Sequence, residues 1–330
     1  MTFSEYMGEW LYSDDGYYAT YKSIGKAGDF YTSVSSSKFF GGTIAKHIIS
    51  LVDDGFLKED SVICEIGAHH GYFLADIIEF IYTLRPKLLE SLEFVIIERF
   101  DAMQEFQKNY LKESFGDAIK LTHYKSFQEL KCKNAFFVAN EIFDAFACEL
   151  YFKGKIARVD DNGEIIFDID DEWVSKKAKK YHKDRGEIAR GYEEFALDMA
   201  SSCDKFEFVS FDYGEMQARP DFSIRVYSKH EVIPFFDENI KRDELFAKSD
   251  ITYDVTFEHV KDAYKEAGVE FVELKAQMVA LVNMGILELL EILKENVDEK
   301  IYKQELEKVK ILIMPNFLGE RFKMIRFRKN

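Results

Sequence analysis

Little in this sequence points to covalent or metallic reinforcement. Four cysteines occur in 330 residues, Cys64, Cys132, Cys148 and Cys203, widely spaced and without a CxxC pair. That pattern excludes a disulfide framework and a cysteine zinc site, and it fits a reducing compartment. Prolines are equally sparse: Pro86, Pro220, Pro234 and Pro315 are the full set. No proline-rich linker, internal repeat or low-complexity segment divides the chain. An excess of positive charge is missing too. Against 60 Asp+Glu there are 44 Lys+Arg, a formal net charge of −16. Such a surface repels phosphate backbones, which argues against nucleic acid as a partner and favours a basic substrate. The most apolar stretch, MVALVNMGILELLEIL, is interrupted by Asn283, Glu288 and Glu291, and is too polar and too short to span a membrane. The first thirty residues carry five acids and two lysines, unlike an Arg-rich transit peptide or the apolar core of a signal peptide. The expected location is the cytoplasm.

What is present is a hydrophobic content of 47%, enough for a sizeable core, in an alternating pattern. SVICEIGA reads as a strand and LADIIEFIYTL as a helix. EFVIIE is a second strand, followed by the helical DAMQEFQKNYLKESF, and IKLTHY and AFFVANE supply two more strands. Near-continuous apolar runs separated by helices predict a parallel sheet covered on both faces. Beyond Asp144 the alternation loosens. YFKGKIARVDDNGEIIFDID reads as two runs joined by an Asn-Gly hairpin turn, and residues 172–200 as charged and helical. FEFVSFDYG is a buried strand and FSIRVYSKHEVIPFF an irregular extended segment. FEHVKDAYKEAG is a helix closed by Gly268, VEFVELKA a strand, the stretch after it one long helix, and ERFKMIRFRK a terminal strand.

Chemistry is expected at the carboxyl ends of the parallel strands. Gly67 directly follows the first strand and Gly71 opens the next helix, where glycines let backbone approach a ligand and expose helix amides. Glu98 closes the second strand, where a carboxylate can take both hydroxyls of a ribose. Glu65 lies inside an otherwise apolar strand and must find hydrogen bonds there. The fourth strand ends in ANEIFDAF, placing Asn140, Glu141 and Asp144 at the same edge; helix capping accounts for one of the three. Asp212 and Tyr213 end the fifth strand. GDFYTS, Gly28 to Ser33, is a loop with an acid, aromatics and hydroxyls. His69 and His70 are adjacent on the turn and point in different directions, so no metal is expected.

In this order, GYYAT, GDFYTS, FFGGTIA, CEIGAHHGYFLADII, VIIE, ANEIFDAF, FDYG, RVYSKHEV, KSDITYDVTFEHV and LGERFKMI resemble the MidA/NDUFAF7-like class I methyltransferases over nearly the whole chain. The resemblance implies an α/β fold: a Rossmann-like, doubly wound sheet with an antiparallel edge, plus helical and hairpin insertions. It implies an N-terminal cofactor-covering segment over 1–60 and a core over 61–330, with insertions at about 151–203 and about 215–267. It implies S-adenosylmethionine over the first glycine loop. Gly28, Asp29, Thr32 and Ser33 fold across the cofactor, Gly67 and Gly71 flank its methionine part, Glu65 braces the loop and Glu98 takes the ribose. Asn140 and Glu141 line the transfer site.

Mitochondrial members are protein arginine methyltransferases that modify a subunit of respiratory complex I during assembly, so a protein substrate is implied. Glu141, assisted by Asp144 or Asp212, is then the carboxylate that grips a guanidinium. Three departures stand out: His69 replaces the central glycine of the loop, Ala147 replaces a proline, and FSIRVYSKH keeps only Arg225 and His230 of a longer pattern. A side chain at 69 forces the question of backbone conformation, which histidine tolerates better than most residues when φ is positive. Two rival readings are a degenerate methyltransferase fold that serves as an assembly protein and, more weakly, a nicotinamide dehydrogenase.

Overall fold

The computed structural model describes residues 1–20, 32–228 and 231–330. They form two compact units, each assembled from three chain segments. The core unit comprises Thr32–Asn140, Leu197–Asp212 and Ala267–Asn330; the second comprises Met1–Tyr31, Glu141–Ala196 and Tyr213–Glu266. The 1–60 stretch, expected as one covering segment, is therefore shared between the two.

In the core unit, β1 (Val62–Ile66), β2 (Glu93–Ile97), β3 (Lys120–Tyr124) and β4 (Cys132–Asn140) are parallel, in the order β4-β1-β2-β3. β1 is buried at all five positions, as a central strand covered on both faces must be. Strand order reverses between β1 and β4, which makes the carboxyl end of β1 a switch point and the natural place for a ligand. The strand Cys203–Glu215 pairs parallel with β4, and Glu270–Ala276 pairs antiparallel with Phe322–Lys329, giving the expected antiparallel edge. The helices Tyr72–Leu84 and Asp101–Phe115 carry the chain from β1 to β2 and from β2 to β3.

The helix Phe39–Asp53 lies against Tyr72–Leu84 with no room to spare. A Cβ on Gly41 would sit 2.5 Å from Asp76 Cβ, and one on Gly42 would sit 2.5 Å from the Phe80 ring. Gly41→Ala is therefore expected to cost about 1–3 kcal/mol through overpacking, read as a lower urea midpoint with an unchanged m-value. An unchanged midpoint would show that the two helices can move apart freely.

The expected single helix after Ala276 is three, Gln277–Asn283, Ile286–Asn296 and Glu299–Ile313. Gly285 (φ 94°) breaks the first junction, and at the second Asp298 starts a new helix by accepting from the Ile301 amide at 3.0 Å.

The second unit holds a four-stranded antiparallel sheet in the order Ile165–Ile169, Lys155–Val159, Cys148–Phe152, Arg185–Ala189. The turn Asp160–Gly163 closes its hairpin, with Gly163 N–H donating to Asp160 O at 3.0 Å. Residues 172–200 are not uniformly helical. Helix Glu172–Lys180 is followed by strand Arg185–Ala189 and helix Tyr192–Ser202, because the short GEIA run finds a sheet edge to pair with. The segment expected to be irregular after Phe222 contributes Arg225–Ser228 and Glu231–Pro234, which join Asp250–Thr252 in a three-stranded antiparallel sheet.

Candidate functional site

The loop from β1 into its helix has left-handed backbone at alternate residues: Gly67 at φ 65°, His69 at φ 48° and Gly71 at φ 77°. The conformation explains the residue types. Glycine adopts it freely, and a residue with a Cβ does so at a cost of roughly 1–2 kcal/mol. His69 therefore keeps the glycine geometry and does not force another. Gly67 is exposed and Ala68 buried, so the backbone stays open at the end of β1. The imidazole of His69 is half-buried and packs edge-on against His70, with ring centroids 3.9 Å apart. Burial, with His70 adding to it, lowers its pKa to about 3, so it is neutral near pH 7. The His70 ring lies 4.5 Å from the Phe106 ring.

Gly71 is the N-cap of the Tyr72 helix and has no side chain to cap it. Glu65 takes over that role. It is buried within β1, and its Oε2 accepts from the Leu74 amide at 3.0 Å, satisfying an amide of the first turn. Burial raises its pKa well above the usual carboxylate range, opposed by that hydrogen bond. Glu65→Leu is expected to lose about 1–2 kcal/mol while Glu65→Gln, which keeps an acceptor, stays near wild type; equal thermal midpoints for the two variants would refute the bracing role.

Glu98 sits at the end of β2, buried, with Oε1 accepting from the Phe100 amide at 3.1 Å and Oε2 from Gln107 Nε2 at 3.4 Å. Burial raises its pKa, against the Phe100, Gln107 and Arg99 interactions that lower it. Gln107 Nε2 also donates to His69 O at 2.7 Å, and Gln104 Nε2 to Glu98 O at 2.7 Å. Neither glutamine is evident as a site residue from the sequence. The signal was there: the inward face of helix Asp101–Phe115 is Gln104, Gln107 and Leu111, polar where an amphipathic helix usually buries apolar groups.

The remaining sequence-derived residues divide as follows. Gly28 and Asp29, and His230 of the FSIRVYSKH motif, lie outside the described residues. Thr32 caps the short helix Ser33–Ser36, and Ser33 is buried, donating to Gln277 Oε1 at 2.9 Å; both therefore have structural work. Asn140 ends β4 in the core unit, half-buried, and Asp212 is 0% exposed. In the second unit Glu141 is half-buried with φ 54°, a strained position for a residue with a Cβ. Asp144 is 3% exposed and accepts from the Tyr213 hydroxyl, which also contacts Thr252 Oγ1 at 2.7 Å. Burial lifts Asp144 to about 6, against the Tyr213 hydrogen bond and Arg225. Arg225 is paired with Asp254 at 2.6 Å, and its guanidinium lies 4.7 Å from the centre of the Tyr213 ring. Asp144 is thus an internal carboxylate held by tyrosine, not a rim residue.

Among the described residues no group of three or more His, Cys, Asp or Glu side chains is arranged to hold a metal, and no helix is long and apolar enough to cross a membrane. An adenosyl cofactor fits the residues at β1 and β2. The exposed Gly67 backbone, the helix N-terminus braced by Glu65 and the Glu98 carboxylate stand at one strand edge. Beside them Gln107 Oε1 is buried without a hydrogen-bond donor among the described residues.

The chain is similar to known proteins. The chain is 24% identical over 98% of its length to the protein arginine methyltransferase NDUFAF7, mitochondrial, of Xenopus laevis, covering 80% of that protein. The Bos taurus protein of the same name is also 24% identical, with 98% of this chain and 79% of the relative covered. A solved structure of a Burkholderia thailandensis protein bound to S-adenosyl-homocysteine superposes with a TM-score of 0.81 at 21% identity, over 99% of this chain and 87% of that one. The fold is that of the class I methyltransferases. Residues 43–274 match the family described as "Putative S-adenosyl-L-methionine-dependent methyltransferase", and the chain belongs to that family.

Proposed function

We propose that the protein transfers a methyl group from S-adenosylmethionine to an arginine of a protein substrate. The cofactor follows from the family; the arginine acceptor is our own reading. The observation that carries it is the β1 loop, whose three left-handed residues leave Gly67 open beside the Glu98 carboxylate. The curated relatives named protein arginine methyltransferases support the acceptor, as does a net charge of −16, which favours a cationic target. By the same analogy the substrate is a respiratory-complex subunit. Four cysteines, all free, are in keeping with a cytoplasmic setting.

When bound, S-adenosylmethionine supplies a methyl group on a positively charged sulfur. Glu98 offers its carboxyl to a pair of ribose hydroxyls, and Glu65 keeps the helix end and loop in register. Asn140 lines the transfer site. Gly28, Asp29, Thr32 and Ser33 are assigned to the cofactor cover. Glu141 is assigned the guanidinium: its two oxygens accept paired N–H bonds, orient the nitrogen and take up the departing proton. Orientation of this kind supplies much of the barrier reduction in group transfer. Asp144 or Asp212, both buried, is assigned to assist Glu141.

Calorimetry with S-adenosylhomocysteine is expected to give saturable heat, and methyl-labelled cofactor to leave methylarginine in hydrolysed acceptor protein. Absence of heat at millimolar ligand would remove the cofactor; label on another residue type would remove arginine. A second reading, an assembly protein built on the same fold, is favoured by His69 at the glycine position. Its mark would be cofactor binding with no label transferred.

A further inference from the structure

We infer that Gln107 is a positioning residue for the cofactor loop: its carboxamide holds the His69 peptide in left-handed geometry and aligns the Glu98 carboxyl beside it. For its affinity readout this rests on the S-adenosylmethionine reading above; its stability readout stands alone.

Three alternate residues of the loop need positive φ, and the middle one is a histidine. Its Cβ disfavours that conformation, so something outside the loop must hold it. The contact that does so is made by the Asp101–Phe115 helix. Gln107 is 0% exposed, and its Nε2 donates to His69 O at 2.7 Å and to Glu98 Oε2 at 3.4 Å. His69 O is a backbone carbonyl and can only accept, which settles the orientation of the amide. A buried glutamine is costly unless its polar atoms are used; here the amide nitrogen ties the His69 peptide to the Glu98 side chain, while Oε1 has no hydrogen-bond donor among the described residues.

Two neighbouring contacts clamp the same junction. Gln104, one turn earlier, donates to Glu98 O at 2.7 Å, and Phe106 packs on the His70 ring at 4.5 Å. Gly71 N–H closes the loop on Ala68 O at 2.7 Å. The peptide after His69 is thereby held from the helix side, and releasing it lets residue 69 relax toward negative φ, turning the backbone on either side of it. Glycine at 69 has no such tendency.

The test is a double-mutant cycle on the full chain with Gln107→Leu and His69→Gly, read by calorimetric titration with S-adenosylhomocysteine and by thermal melting. Gln107→Leu should weaken binding about tenfold, the scale of one well-placed hydrogen bond. In the His69→Gly background the same substitution should cost at most about threefold, the part owed to Glu98. Melting midpoints should show the same non-additivity. Equal losses in both backgrounds, or wild-type affinity in Gln107→Leu, would overturn the assignment. If the unmutated protein gives no heat, the cofactor reading fails, and melting decides this one by itself: additive shifts sink it. Should Gln107→Leu not fold, Gln107→Asn reads the same cycle, since its amide falls one methylene short of His69 O.

Discussion

Glu141→Gln should lower the rate of methyl transfer by roughly 10²- to 10³-fold, the scale on which single preorganised electrostatic contacts act, while S-adenosylhomocysteine affinity changes by less than about twofold. Glu141 follows the last residue of β4, is half-buried, and has φ 54°. A glutamate held at positive φ is strained, and backbone strain of this kind gathers where a chain must present a side chain in one direction. Glutamine keeps the shape and removes the charge that would grip a guanidinium and take its proton. Glu141→Gly sharpens the comparison. Relief of about 1 kcal/mol of left-handed strain is offset by the added freedom of the unfolded chain, so stability should hardly move while transfer is lost. Rates come from labelled methyl transfer and affinities from calorimetry. A Glu141→Gln protein with wild-type turnover would take the acceptor-binding role away from this carboxylate.

The largest stability effect is expected at Glu207. This carboxylate lies in the strand Cys203–Glu215 at 0% exposure, with Arg328 Nε and His47 Nε2 each at 2.5 Å and Arg326 Nη1 at 3.7 Å. Burial acts to raise its pKa, but His47, Arg328 and Arg326 outweigh it and hold the acid below its ordinary range. Glu207→Ala leaves the partly buried Arg328 without its carboxylate partner and Arg326 with Glu273 alone, at 2.8 Å, and should cost about 3–5 kcal/mol. The pH dependence follows from the direction of the shift. A carboxyl whose folded pKa is depressed stabilises the fold above its unfolded value of about 4.3, and that contribution is lost as pH falls through the folded pKa. The gap in melting temperature between wild type and Glu207→Ala should therefore be widest near neutrality and close in acid. A gap independent of pH would mean that Glu207 acts by volume and not by charge.

Near-neighbour information in the chain was enough for the repeating half of the fold. VICEI, EFVII and AFFVAN are near-continuous apolar runs because strands buried on both faces have little polar side to show, and each lies where a strand is found. Gly67, Gly71 and Glu65 were legible for a similar reason: positive φ selects glycine, and a lone acid in an apolar strand needs a partner close at hand. The insertions were less legible. A strand as short as Arg185–Ala189 has no period of its own and exists because Cys148–Phe152 offers it a ladder. The split of the 277–313 stretch into three helices was masked by an apolar pattern that runs through Gly285.

Residue types and their order thus determined the parallel sheet, the glycine loop and the acids at its edge, since each is dictated by local geometry or by the need of a buried strand to be apolar. Tertiary structure alone decided which of those acids are accessible. It put Asp144 under the Tyr213 hydroxyl and sealed Asp212 inside, leaving Glu141 half-open. It also brought Gln107, thirty-eight positions away, onto the His69 carbonyl. Hydrogen bonds across such separations depend on how helices dock, and no pattern along the chain records that.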